Sequence, residues 1–139
     1  MTDTFRDNRG CFVCGEKNAA GLGLKFHMDR EQGIAEAEVS FPEHFQGWEK
    51  VVHGGLLATV LDETMIYAAA AKGFLCVTGE LTIRYMEPAP TGAALKLKGR
   101  FLEEKGRVIL AESEIQSPDG RPLARAAGKL IKFRNPKKT

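Results

Sequence analysis

An α+β fold is predicted for this chain: one curved antiparallel sheet of about six strands wrapped around a single long central helix. Three features predict it. One continuous stretch of helical length, residues 54–72, is apolar almost all the way round, and a helix of that kind has to be buried. The other patterned stretches alternate with the period of a strand. Short turn signals separate most of them, so neighbours join as hairpins. A curved sheet around the helix is the economical way to bury it.

Taken in order, residues 1–20 are polar and turn-rich and form an N-terminal segment ahead of the domain, which is set at residues 21–134. "LGLKFHMD" places Leu22, Leu24, Phe26 and Met28 on one parity and is the first predicted strand. Gln32-Gly33 signals a turn into a second strand, "IAEAEVSF", which Phe41-Pro42 ends before the loop "EHFQGWEK". The helix runs from Gly54 to Lys72, with Gly73 in the position of a C-terminal cap. Beyond it, "CVTGELTIRYME" alternates Leu81, Ile83 and Tyr85 against Thr82, Arg84 and Met86. "ALKLKGRFLEE" sets Lys96, Lys98 and Arg100 on one face, Gly106 permits a tight turn into "RVILAESEIQS", and "SPDGRP" turns the chain into "LARAAGKLIKF". Residues 135–139 are a basic tail. This arrangement is the hotdog architecture.

The 139 residues suit one domain with a real core, 43% apolar and 27% charged. A net charge of +2 and few aromatics argue against nucleic acid as a partner. The sequence has no apolar run of the roughly 20 residues that a membrane helix needs. The opening residues lack the apolar stretch of an export signal, and three cysteines fit a reducing compartment. The expectation is a cytoplasmic protein that does not engage membranes.

The chemistry concentrates in "VVHGGLLATVLDE": His53, Gly54 and Gly55 at the helix start, then Asp62 and Glu63 in a helix that should be buried. With an acid nine residues after the histidine, and the following strand "VTGELTIRYMEPAP", the chain resembles the hotdog-fold acyl-CoA thioesterases, specifically the phenylacetate-pathway branch. "CFVCG…GLGL" near the N-terminus also looks like that branch, and the resemblance spans roughly residues 21–133. It implies hydrolysis of an acyl-CoA or aryl-CoA to acid and free CoA, with no cofactor. It also implies a homodimer or homotetramer.

The physics of these residues agrees. Glycines at a helix start let a ligand approach the backbone, and the unpaired N–H groups of the first turn favour negative charge. A thioester carbonyl becomes an oxyanion when attacked, and preorganised N–H donors stabilise it. The resemblance assigns that donor to Gly54, with His53 and Gly55 shaping the turn. It makes Asp62 the carboxylate that activates water or attacks the thioester carbon, two alternatives the sequence leaves open. Thr78 is implied to orient that carboxylate. Gln46 stands in for an amide that relatives place near the thioester carbonyl, although the matching position here is Gly47. Arg107 is implied to face the CoA phosphates. Glu63 lies about 100° around the helix from Asp62 and is read as an ion-pair or rim residue.

Gly54 and Asp62 are separated by ~12 Å along one helix, too far for one reacting carbon to meet both. A shared site therefore requires a second helix, which two-fold pairing supplies. Cys11 and Cys14 could form half a zinc site, but a closed site needs four ligands. Only Cys76, His27, His44 and His53 remain, without ligand spacing, so the pair is read as packing a turn and no metal is assigned. Two alternatives remain: a hotdog dehydratase or hydratase, which "EHFQG" faintly echoes, and a non-catalytic acyl-CoA-binding module.

Overall fold

The computed structural model describes residues 5–134, so the basic tail 135–139 lies outside the described residues. The elements are β1 (His27–Asp29), β2 (Ile34–Val39), α1 (Gly54–Ala71), β3 (Cys76–Tyr85), β4 (Leu95–Lys105), β5 (Val108–Gln116) and β6 (Pro122–Lys132), with a 3-10 turn at Glu43–Phe45. Every strand pair is antiparallel, and the sheet order is β1-β2-β4-β5-β6-β3. β4, β5 and β6 form the expected meander. β3 departs from it: among the described residues it pairs with β6 alone, and no strand lies on its other edge.

Alternation makes the sheet two-faced. Leu95, Leu97, Ile109, Ile115, Leu123 and Leu130 point inward onto Leu57, Val60, Leu61 and Met65 of α1, all of them buried. The outward residues form rows of alternating charge. Glu36 stands opposite Lys98, Lys98 opposite Glu114, and Glu114 opposite Arg125. The face that carries Lys96, Lys98 and Arg100 is thus neutralised by its neighbours, each cross-strand pair adding about 0.2–1 kcal/mol.

The helix sits close to the sheet because β4 has a glycine beneath it. A Cβ on Gly99 would lie 2.7 Å from the Thr64 carbonyl oxygen. Two buried hydroxyls satisfy helix carbonyls there: Thr64 Oγ1 donates to Val60 O (2.6 Å), and Ser113 Oγ donates to Leu61 O (2.8 Å). The sheet covers one side of α1, burying Leu57, Val60, Leu61, Thr64, Met65, Ala68, Ala69 and Ala71. On the opposite side Thr59, Asp62, Glu63, Ile66 and Ala70 remain half-buried. The helix is therefore less enclosed by its own chain than its apolar sequence predicts.

The first strand is shorter than predicted. Leu22 and Leu24 donate instead to the carbonyls of Phe12 (2.8 Å) and Val13 (2.9 Å), and Gly23 between them has φ +64°, which a strand does not accept. The N-terminal segment consequently packs on the domain, with Val13 contributing to the core.

Candidate active site

The helix begins in a capped turn. His53 is the N-cap residue, and its Nδ1 accepts the Gly55 N–H at 2.9 Å, which satisfies one of the open donors of the first turn. An accepting Nδ1 places the proton of the neutral ring on Nε2. The His53 N–H donates to Phe45 O (3.0 Å), and the Val52 N–H donates to Ala89 O (2.8 Å), which ties the turn to both flanking loops. Tyr85 at the end of β3 lies over the helix start, its hydroxyl donating to Gly54 O at 2.8 Å. Among the described residues nothing accepts from the Gly54 N–H. A cleft of ≈ 340 Å³ opens here, lined by Gly47, Trp48, Val52, His53 and Gly54. Trp48, 83% exposed, forms its wall.

Two turns along the helix, Asp62 is half-buried and accepts a hydrogen bond at Oδ1 from Thr78 Oγ1. Thr78 sits where the β3–β6 register slips, between Thr78 and Glu80. A bulge there re-aims side chains, and Thr78 meets the helix. α1 and β3 run in opposite senses, so Asp62 meets the start of β3 and Gly54 meets its end. Asp62 does not line the cleft at Gly54.

The structure therefore gathers the sequence-named residues into two groups: His53, Gly54 and Gly55, and Asp62 with Thr78. Gln46 lies in the loop before the turn, where its Oε1 accepts the Lys50 N–H at 3.0 Å, so its amide oxygen is engaged in holding that loop. Arg107 stands in the β4–β5 turn, beside the end of β6, its carbonyl accepting from Lys132 N (2.9 Å). Tyr85 was not singled out as a site residue. Its parity with Leu81 and Ile83 was the available signal, because it put the ring on the helix side. Trp48 gave no periodic signal.

The ion-pair reading of Glu63 is corrected. The ion pairs found among the described residues do not include it, and its Oε2 instead accepts from Cys11 Sγ at 3.3 Å. Burial, reinforced by the Glu63 carboxylate, pushes the neighbouring Cys14 thiol far above its ordinary range. Burial and then Cys14 raise the Tyr67 phenol likewise. The third cysteine, Cys76, lies apart and is pushed up to about 11, mainly by burial.

Comparison with known proteins gives a consistent result. The family model described as the thioesterase superfamily matches residues 49–124. The acyl-coenzyme A thioesterase THEM4 of Mus musculus is 32% identical over 121 residues, covering 85% of this chain and 52% of the mouse protein. An esterase-named protein of Saccharolobus solfataricus is 33% identical over 103 residues, 73% of each chain. A solved structure described as a thioesterase superfamily protein superposes with a TM-score of 0.83 at 28% identity, covering 89% of this chain and 61% of that one. This chain thus spans about half the length of the mouse relative.

Proposed function

This chain belongs to the thioesterase superfamily, and we propose that it hydrolyses an acyl-CoA or aryl-CoA to the free acid and CoA. The observation that carries the reading is Asp62, a half-buried helix carboxylate whose Oδ1 is held by the Thr78 hydroxyl. That contact fixes the carboxylate and leaves Oδ2 to act, either taking a proton from an attacking water or attacking the thioester carbon itself. In the water route the new C–O bond forms as Asp62 accepts the proton. The C–S bond then breaks, and the proton passes to the departing CoA sulfur. The unpaired Gly54 N–H stabilises the oxyanion, with His53 and Gly55 holding the turn that presents it. No metal or cofactor takes part in this scheme. In the same reading Arg107 faces the CoA phosphates and the Gln46 side chain borders the thioester pocket.

The scheme needs two chains. Gly54 and Asp62 stand ~12 Å apart on α1, so the donor and the carboxylate of one site come from different copies. The open edge of β3 supports a way to bring them together. Thr78 and Tyr85, which touch Asp62 and Gly54, lie near opposite ends of that strand. Antiparallel pairing of two β3 edges about a two-fold axis between Leu81 and Thr82 sets Thr78 of one copy opposite Tyr85 of the other. Two equal sites result, in a homodimer or a tetramer built from it. The half-covered side of α1 is then closed by the second helix. We place the protein in the cytoplasm, a reading supported by its free cysteines. No helix of the described chain is long and apolar enough to cross a membrane.

Thiol release from a panel of acyl-CoA and aryl-CoA esters tests the reaction, run beside hydration of an enoyl-CoA. Asp62→Asn should lower kcat by about 10²–10⁴-fold, and Glu63→Gln should stay within several-fold of the parent. A parent that hydrates enoyl-CoA and releases no thiol would overturn the assignment. An Asp62→Asn variant of undiminished kcat would remove the carboxylate from the mechanism.

A further inference from the structure

The N-terminal thiols and Glu63 form a second cluster, on the other flank of α1 from Asp62. The stretch Cys11-Phe-Val-Cys14-Gly15 closes into a tight turn, with the Gly15 N–H donating to Cys11 O at 2.9 Å and the Val13 N–H donating to Cys11 Sγ at 3.3 Å. Gly15 is required for it, since a Cβ there would lie 2.3 Å from Cys11 N and 2.5 Å from Arg9 O. The turn lays both sulfurs over the helix at Glu63. Cys11 Sγ, Cys14 Sγ and a Glu63 carboxylate oxygen all lie within 4.8 Å of one another. Tyr67, one helical turn on, interacts with Cys14 and stacks on Phe26 at 4.3 Å between centroids.

A half-buried carboxylate is normally matched by a cation or by strong donors. Here its partners are thiols, which donate weakly. We propose that Cys11, Cys14 and Glu63 are the three protein ligands of a zinc ion that pins the N-terminal segment to α1, with water in the fourth position. Two thiolates and one carboxylate are within zinc's ligand repertoire, and they disfavour magnesium and calcium, which take oxygen ligands. The dimensions fit as well. Zn–S and Zn–O bonds of about 2.3 and 2.1 Å at a tetrahedral angle set S···O near ~3.6 Å and S···S near ~3.8 Å. The observed S···O separation of 3.3 Å reaches that arrangement by a shift of a few tenths of an ångström. The Val13 N–H on Cys11 Sγ is suited to a charged sulfur, since hydrogen bonds to ionised groups are the stronger ones. A third ligand from the helix is what the sequence lacked when the cysteine pair was read as packing a turn. The site is independent of the proposed hydrolysis, because none of its ligands touches Asp62 or Gly54 in the contacts described.

Zinc itself is the probe. The reduced full chain, stripped with a strong chelator and dialysed, is titrated with zinc against a chromophoric competitor and then with cobalt as a spectroscopic substitute. One zinc per chain is expected, and so is a sulfur-to-cobalt charge-transfer band in the near ultraviolet. Cys14→Ser should lose both. Glu63→Gln should keep the band and weaken zinc binding by at least the roughly tenfold that loss of a mere outer-shell partner costs. In the parent, the chelator should lower the thermal midpoint, and in Cys14→Ser it should leave it unmoved. Circular dichroism of each variant shows whether a loss reflects the ligand or the fold. Three results would each overturn the proposal: a reduced, folded parent that takes up no stoichiometric zinc, a cobalt spectrum without the sulfur band, or Glu63→Gln binding as tightly as the parent.

Discussion

The sharing of one site between two chains can be tested by complementation between two inactive variants. Gly54→Pro removes the oxyanion donor and little else. Gly54 is the first residue of α1, where proline's fixed φ is suited to the helix and its missing N–H costs no intrahelical bond. His53 before it has φ −59° and ψ 131°, the extended conformation that a residue preceding proline requires. A Cβ at this position lies 3.4 Å from the nearest Tyr85 atom, an ordinary contact. Loss of the donor should cost about 10²–10³-fold in kcat, and Asp62→Asn about 10²–10⁴-fold, so each variant alone retains roughly one per cent or less. A heterodimer of the two has one site with an intact Gly54 and an intact Asp62, and a second site with neither. It should therefore turn over at half the parent rate per dimer. Random subunit exchange, which makes half of the dimers mixed, should give about a quarter of the parent rate. Co-expression with two affinity tags isolates the mixed species, and thiol release from a CoA ester measures it. A purified heterodimer no faster than the mean of its two parents would refute the shared site, and the β3-edge pairing with it.

Other expectations follow from single contacts. Thr78→Val removes the hydroxyl on Asp62 and should lower kcat by roughly 10–100-fold, the range for a hydrogen bond to a charged group. Thr78→Ser should stay within several-fold, and equal rates for Val and Ser would make the contact irrelevant to turnover. Gly99→Ala forces a Cβ to within 2.7 Å of the Thr64 carbonyl and should destabilise by about 1–3 kcal/mol in urea unfolding; an unchanged midpoint would show that the helix is not seated as described. Burial works to raise Glu114, but hydrogen bonds from Gln116 and Arg125, with the nearby positive charge of Arg125 and Lys98, outweigh it and hold the carboxyl below its usual range. A lowered folded value contributes stability above the unfolded carboxylate value of about 4.3, and that stability is lost as pH falls through the folded value. Glu114→Gln should therefore flatten the acid limb of the stability curve below about pH 5, and an unchanged limb would assign acid sensitivity elsewhere.

The elements legible in the sequence are those whose pattern and tertiary role coincide. Residues 54–72 are apolar over helical length, and α1 spans Gly54–Ala71. The first half of β4 alternates leucine with lysine, and Leu95 and Leu97 are buried. "LGLKFHMD" shows the limit of periodicity. Its parity is that of a strand, but the N–H groups of Leu22 and Leu24 are taken by Phe12 and Val13, and only His27–Asp29 joins the sheet. A polar segment such as residues 9–20 carries no period that announces such a pairing. At the site, the helix turn was expected from its glycines, and the Asp62–Thr78 contact was implied by the family resemblance. The engagement of Gln46 with Lys50 was not, because a side chain folding back on its own loop has no signature in composition. The position of β3 beyond β6, which leaves the edge open beside Asp62, is a property of topology and is carried by no single residue.

Two adjacent acids on a helix this apolar have a physical explanation in the partners they meet. A carboxylate on a half-buried surface loses hydration, and an arginine or lysine would ordinarily compensate it. Neither Asp62 nor Glu63 takes part in an ion pair among the described residues. Asp62 is held by a hydroxyl and Glu63 by thiols. A cation would bury the charge in a structural bridge and make it a poor base or ligand. Neutral donors orient the group and leave its charge for something outside the chain. On the Asp62 flank the sheet of the described residues ends at β3, the edge at which the proposed substrate and second copy meet Asp62. On the Glu63 flank the N-terminal turn closes over the carboxylate with two sulfurs, the place of the proposed zinc ion. The helix thus carries one acid toward each of the two flanks that the sheet leaves uncovered, and the partners on each flank decide what that acid does.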